Sequence, residues 1–267
     1  MFDEDASKEQ LEYLRKVKAH KRMIFILRIL LLFVFFALWE IATRLKWMDS
    51  FIFSSPVRMI STIARLTADG SIYEHVLTTL WETVVGFVLG TLAGILIAII
   101  LWSSDTVSKV LEPYLVVANA LPKIALGPVF IVWLGAGPLS IITVALTVSL
   151  IVTVLEVYTG FQEADSEKIR LVQSFGATRR QILTKVILPS SFPVMMNALK
   201  VNVGLSWVGV IVGEFLVSRA GLGYLIVYGG QVFQLDLVMT SVLILSVLAA
   251  LMYFGVELLG KGISRNY

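Results

Sequence analysis

A lysine in the middle of an apolar run is the first residue of this chain that could do chemistry. Lys123 sits in Ala120-Leu-Pro-Lys-Ile-Ala-Leu-Gly-Pro128. A charge at membrane depth is costly and marks a functional site by default. Its ammonium could line a path for an anion. It could equally snorkel to an interface or pair with a backbone carbonyl. Asn119, Asn202, Ser206 and Glu214 join Lys123 as candidate pathway residues, with Glu82 and Glu156 as further polar groups. Their amide, hydroxyl and carboxyl groups can hydrogen-bond a polar solute. Glu40, Glu82, Glu156 and Glu214 are expected near helix ends, where charge costs less.

Several chemistries are excluded. The chain has no cysteine, so disulfides, thiol catalysis and zinc ribbons are out. His20 and His75 lie far apart in polar flanks, so no metal site is expected. An intramembrane enzyme would need a nucleophile with a base, or a metal, inside the spans, and the composition removes most such routes. Gly255-Val-Glu-Leu-Leu-Gly-Lys-Gly262 comes near a phosphate-binding loop. It lacks the closing Ser/Thr, and no strand precedes it. The chain is therefore read as no enzyme, with no cofactor, drawing any energy from a partner.

The elements that position these residues are legible from hydropathy. Of 267 residues 57% are hydrophobic and only 15% charged, and the mean hydropathy is +0.86. A water-facing surface needs about 25% charged residues. An all-α polytopic membrane protein follows, with six transmembrane helices of about 20 residues each. They fall near Met23–Ile41, Leu80–Trp102, Val110–Leu134, Leu139–Tyr158, Val194–Leu216 and Leu237–Leu259. Pro122, Gly127 and Pro128 break the third, and such breaks face protein or a wet cavity. Gly86, Gly90 and Gly94 form a small-residue stripe for helix packing, and Gly209 and Gly213 repeat the idea. On the outer side, Ser55 and Pro56 are placed to cap and open a short helix.

Orientation follows from basic residues. With the N-terminus inside, fourteen Lys/Arg fall on inner segments and five on outer ones. That bias puts both termini in the cytoplasm. Residues 1–22 read as a charged cytoplasmic segment and 23–267 as the six-span domain. The run from Met23 is too long for a cleaved signal and has no cleavage pattern.

The longest polar interruption is 163–189, EADSEKIRLVQSFGATRRQILTKVILP. Asp165 or Ser166 can cap a helix with Ile169, Val172 and Phe175 on one face. Gly176 is placed to end it in the left-handed conformation. Thr178 and Gln181 form a capping box for a second helix carrying Ile182, Leu183, Val186 and Ile187, which is expected to end before Pro189. Periodicity leaves open a mere connection lying on headgroups. A helix-turn-helix tethered at both ends by spans cannot easily enter a groove, so no nucleic acid is expected.

Gly176, nine further residues, then Val186-Ile-Leu-Pro189 resembles the cytoplasmic signature of ABC-importer permease subunits. The Glu-Ala-Ala that opens that signature is Arg170, Leu171 and Val172 here. Phe53-Ser-Ser-Pro56, the Ala120–Pro128 stretch with Trp133-Leu-Gly-Ala-Gly-Pro138, and Gly213-Glu-Phe215 with Gly221-Leu-Gly223 resemble the nitrate/sulfonate/taurine-type subfamily. The resemblance covers most of the chain and implies a type I ABC importer permease-like fold. It implies coupling helices at 163–189, contacting an ABC ATPase subunit dimer through Ser174, Phe175, Gly176, Ala177, Thr178 and Arg179. It further implies a second permease copy, forming a homodimer, an extracytoplasmic solute-binding protein and a prokaryotic cell (inner/plasma) membrane location. The implied solute is a small anion such as a sulfonate, nitrate or taurine, with a thiamine-precursor-like pyrimidine as the alternative. A receptor-like or structural bundle is the reading from another class, and it predicts no ATPase partner and no broken span.

Overall fold

The structure is a computed structural model, and it describes residues 8–264. Arg265, which enters the charge count above, and residues 1–7 lie outside the described residues. All regular elements among the described residues are helical. The first is α1 (Lys8–Arg44), a single helix that joins the charged lead-in to the first span without a break. At 1.5 Å per residue its 37 residues reach about 55 Å, well beyond a ~30 Å hydrocarbon core. Its apolar faces stay exposed, as a lipid-facing helix requires.

A short α2 (Ser50–Phe53) and α3 (Pro56–Ala68) follow. Ser55 caps α3 by accepting the Arg58 N–H, and Pro56 is its first residue. The Arg58 guanidinium meets Asp236 at 2.6 Å, and Ser54 donates to the same carboxylate at 2.7 Å. α3 is thereby tied to the start of the last span.

The second span is α4 (Ser71–Ser103). The third is broken: α5 (Asp105–Ala120) and a 3-10 turn at Lys123–Leu126 lead into α6 (Gly127–Leu134), with a bend of 85° between the halves. Pro122 and the Gly127-Pro128 pair sit at the break, where missing N–H groups forbid a continuous ladder. Then come α7 (Pro138–Gln162), α8 (Ser166–Ser174), α9 (Arg179–Ile182), α10 (Leu188–Val217), α11 (Leu222–Gln231) and α12 (Leu235–Ser264). Among the described residues five helices are long and apolar enough to cross a membrane, six if the bent pair counts as one span. The chain is an all-α, multi-pass membrane protein.

α7 is the centre, packed between α4 and α10. Close approach explains the glycines. A Cβ on Gly209 of α10 would lie 2.4 Å from the Cα of Ala145, so only glycine lets these backbones meet. Gly86, Gly90 and Gly94 put their bare faces against Ala145, Ser149 and Thr153 of α7.

One expectation is corrected. The second cytoplasmic helix does not end before Pro189. From Arg179 to Val217 the chain is one helix of 39 residues. A π-helical stretch, Leu183–Ile187, bridges α9 and α10, with Leu188 N–H bonded to the Leu183 carbonyl. The wider turn gives the Pro189 ring the room that an α-turn would deny it.

Candidate coupling site and intramembrane polar residues

The turn between α7 and α10 is built from local chemistry. Asp165 caps α8 through the N–H groups of Glu167 at 2.9 Å and Lys168 at 3.4 Å. At the other end, Gly176 has φ +78°. Its N–H bonds the Gln173 carbonyl, and the Ala177 N–H bonds that of Val172. These two bonds form a Schellman motif, with Gly176 at the one position that demands a left-handed backbone. Thr178 then opens α9: its N–H donates to Gln181 Oε1 at 2.8 Å, and its hydroxyl accepts the Gln181 N–H.

The turn rests on the spans. Ile169, Val172, Ala177, Ile182 and Leu183 pack with Ala98 of α4 and with Val157 and Phe161 of α7. The Arg179 guanidinium donates to the Ser103 carbonyl at 2.7 Å, satisfying the open end of α4. Phe175 departs from the expected buried face and is 81% exposed, because it is the residue that leaves α8 just before the left-handed turn. Ser174, Thr178 and Arg179 are exposed beside it, while Ala177 is half-buried. A notch of about 360 Å³, lined by Phe175, Gly176, Gln181 and Lys185 among others, opens on this side. The arrangement presents one exposed aromatic ring beside this notch.

Asp165 gives a measurable consequence. The Glu167 backbone N–H holds its carboxyl below the usual aspartate range, outweighing the opposing effect of desolvation, and Lys168 lowers it further. A carboxyl depressed in the folded state adds stability above its unfolded value, near 3.9. That contribution is lost as pH falls through the lower folded value. Hydrogen-exchange protection of the first α8 amides should drop over that acid window. Asp165→Asn, which caps without titrating, should flatten the profile.

The polar residues inside the membrane fall into three places. Asn119 and Lys123 lie at the break of the third span, and the Lys123 ammonium donates to the Asn119 carbonyl at 2.9 Å. Asn202 and Ser206 are buried on α10, one turn apart. Asn202 donates to Thr91 of α4 at 2.6 Å. Asn202 Oδ1 and Ser206 Oγ have no hydrogen-bond partner among the described residues. The structure thus brings Asn202 and Ser206 together and keeps them apart from Asn119 and Lys123.

Glu214 belongs to a third place. It is 2% exposed and lies beside Glu82, 1% exposed; Glu214 Oε1 and Glu82 Oε2 have no hydrogen-bond partner among the described residues. Glu214 accepts the Gly223 N–H at 2.5 Å. The neighbouring amides are held from α4: Gly221 N–H by His75 Nδ1 at 3.0 Å and Leu222 N–H by Thr79 Oγ1 at 2.7 Å. Three consecutive N–H groups before and at the start of α11 are satisfied this way, as a buried helix end requires. Proximity to a helix end was legible for Glu214. Its nearness to Glu82 and the role of His75 were not, since they join residues more than a hundred positions apart.

Comparisons with known proteins agree with this architecture. A probable ABC transporter permease of Haemophilus influenzae is 29% identical over 229 residues, covering 86% of this chain and 93% of that protein. A putative aliphatic sulfonates transport permease of Bacillus subtilis is 26% identical, covering 95% and 92%. A chain of a bacterial ABC transporter that imports the acidic polysaccharide alginate superposes with a TM-score of 0.64 at 14% identity, covering 93% of this chain and 99% of that one. The model of the binding-protein-dependent transport system inner membrane components matches residues 90–266. With about two-thirds of its length matched, the chain belongs to that family, the permease subunits of ABC importers.

Proposed function

We propose that this chain forms half of a solute path with a second copy of itself. It takes its drive from an ATPase dimer docked on 163–189, and its solute is a small anion of the sulfonate, nitrate or taurine type. An extracytoplasmic binding protein delivers that solute, both termini lie in the cytoplasm, and the ATPase supplies all nucleotide chemistry. The observation that carries the coupling claim is Phe175, 81% exposed on a turn buttressed by the inner ends of α4 and α7. A large exposed aromatic held rigidly is what an interface anchor requires. The Lys123 ammonium at the broken span and the sulfonates relative support an anionic solute. Asn119 lies beside Lys123 and shares that role, while Asn202 and Ser206 reach solute only if α4 and α10 part.

The natural lack of cysteine makes the test clean. Ser174 is exposed and small, so Ser174→Cys is a better reporter than a change at half-buried Ala177. In native membranes it should crosslink to one ATPase carrying a single cysteine, with a yield that changes on ATP addition. Free labelling from the inside with no crosslink to any ATPase of the same cell would sink the coupling reading and favour a receptor-like bundle.

A further inference from the structure

Lys200 is a second intramembrane ammonium, and the solute path does not account for it. It lies in α10, opposite the last turns of α12. Among the described residues it makes no ion pair, and its nearest aromatic is Tyr253, 5.8 Å from ammonium to ring centroid. Beside it, Lys261 pairs with Glu257 at 2.7 Å. All three line one cavity of about 430 Å³ with Phe192, Pro193, Met196 and Gly260.

Three features identify the occupant. First, depth: Lys261 is in the last turn of α12, and Glu257 lies four residues, about 6 Å, further in. Lys261 therefore lies at the inner end of the span, and Lys200 shares its cavity from α10. Second, charge: two ammoniums and one carboxylate leave a single net positive charge, the complement of one phosphodiester. Third, lining: apart from these three groups the walls are apolar, which suits an acyl chain and not a hydrated solute anion. The bare Gly260 brings α12 against Met196, whose Cε would lie 2.4 Å from a Cβ there, so the groove floor is closed.

We propose that this groove binds one anionic phospholipid of the inner leaflet, its phosphodiester between Lys200 and Lys261 and a chain along Phe192 and Met196. Glu257 holds Lys261 in place and repels a second headgroup. A choline headgroup would bring its own cation against the ammoniums, so zwitterionic lipid binds more weakly. The lipid thereby bridges α10, the helix continuous with the cytoplasmic turn, to α12.

The test is native mass spectrometry of the full chain released from detergent after incubation with equal amounts of phosphatidylglycerol and phosphatidylcholine. The wild type should retain one phosphatidylglycerol in preference to phosphatidylcholine. Each basic residue near a headgroup is worth about fivefold in binding, so Lys200→Gln with Lys261→Gln should weaken retention about 30-fold. Lys200→Arg with Lys261→Arg should keep it. Equal retention of both lipids would overturn the proposal, as would wild-type retention by the double Gln variant or loss in the double Arg variant. Retention of neither lipid, the result if a second permease copy covers the groove, would overturn it as well.

Discussion

Gly176→Val should lower solute-driven ATP turnover about tenfold or more while the chain still inserts and assembles. No atom lies within 4 Å of where a Cβ would stand, so the cost is conformational and not a clash. A non-glycine residue in the left-handed region costs about 1–2 kcal/mol, and a β-branched one sits at the upper end. That is enough to shift the turn to other backbones and release the Schellman bonds from Gly176 and Ala177. Phe175 would then lose its fixed direction. A population loss of about 1.4 kcal/mol is a factor of ten. Gly176→Asn, the side chain that best tolerates this conformation, should retain most of the activity. The measurement is ATP hydrolysis by the reconstituted complex with and without loaded binding protein. If Gly176→Val and Gly176→Asn are both fully active, the left-handed turn has no part in coupling.

This prediction rests on a segment that was largely readable in the sequence, for a physical reason. Caps and turns depend on residues within four positions of each other, so Asp165, Gly176, Thr178 and Gln181 carry their own instructions. The same holds for Ser55-Pro56 opening the outer helix and for the proline break of the third span. Span positions were readable because lipid demands long apolar runs. Where the reading failed, the deciding interaction was not local. Pro189 reads as a stop, but the π turn at Leu183–Ile187 carries the helix through it. The turn is fixed by burial of Ile182 and Ile187 against α4 and α7, which no window of sequence displays. Phe175 fits a helical stripe by spacing, yet the turn swings it outward. The outer helix α11 hides in an apolar stretch opened by Gly221 and Gly223. Its start is set by Glu214, His75 and Thr79, two of them on a span far earlier in the chain.

That outer junction yields the second large effect. Glu214→Ala should lower the thermal unfolding midpoint of the purified chain by roughly 10 °C, from a loss of about 3 kcal/mol. The change removes the acceptor of the buried Gly223 N–H and the polar side chain beside the Glu82 carboxyl, which is 1% exposed. The two glycines show how tightly the carboxyl is seated: a Cβ on Gly221 or Gly223 would come within 2.5 or 2.7 Å of it. Alanine therefore leaves both a gap and an unpaired Gly223 N–H. Glutamine separates geometry from charge. In Glu214→Gln the amide oxygen can still accept from Gly223, and its NH₂ can donate to Glu82. In Glu82→Gln the new NH₂ can donate to Glu214. Both single glutamine variants should unfold within a few degrees of the wild type. If Glu214→Gln is as damaging as Glu214→Ala, the junction needs a carboxylate and not merely an acceptor for the Gly223 N–H. If the glutamine variants are stable yet transport fails, an ionisable carboxyl at this place serves the transport cycle, since the fold has been shown not to need it.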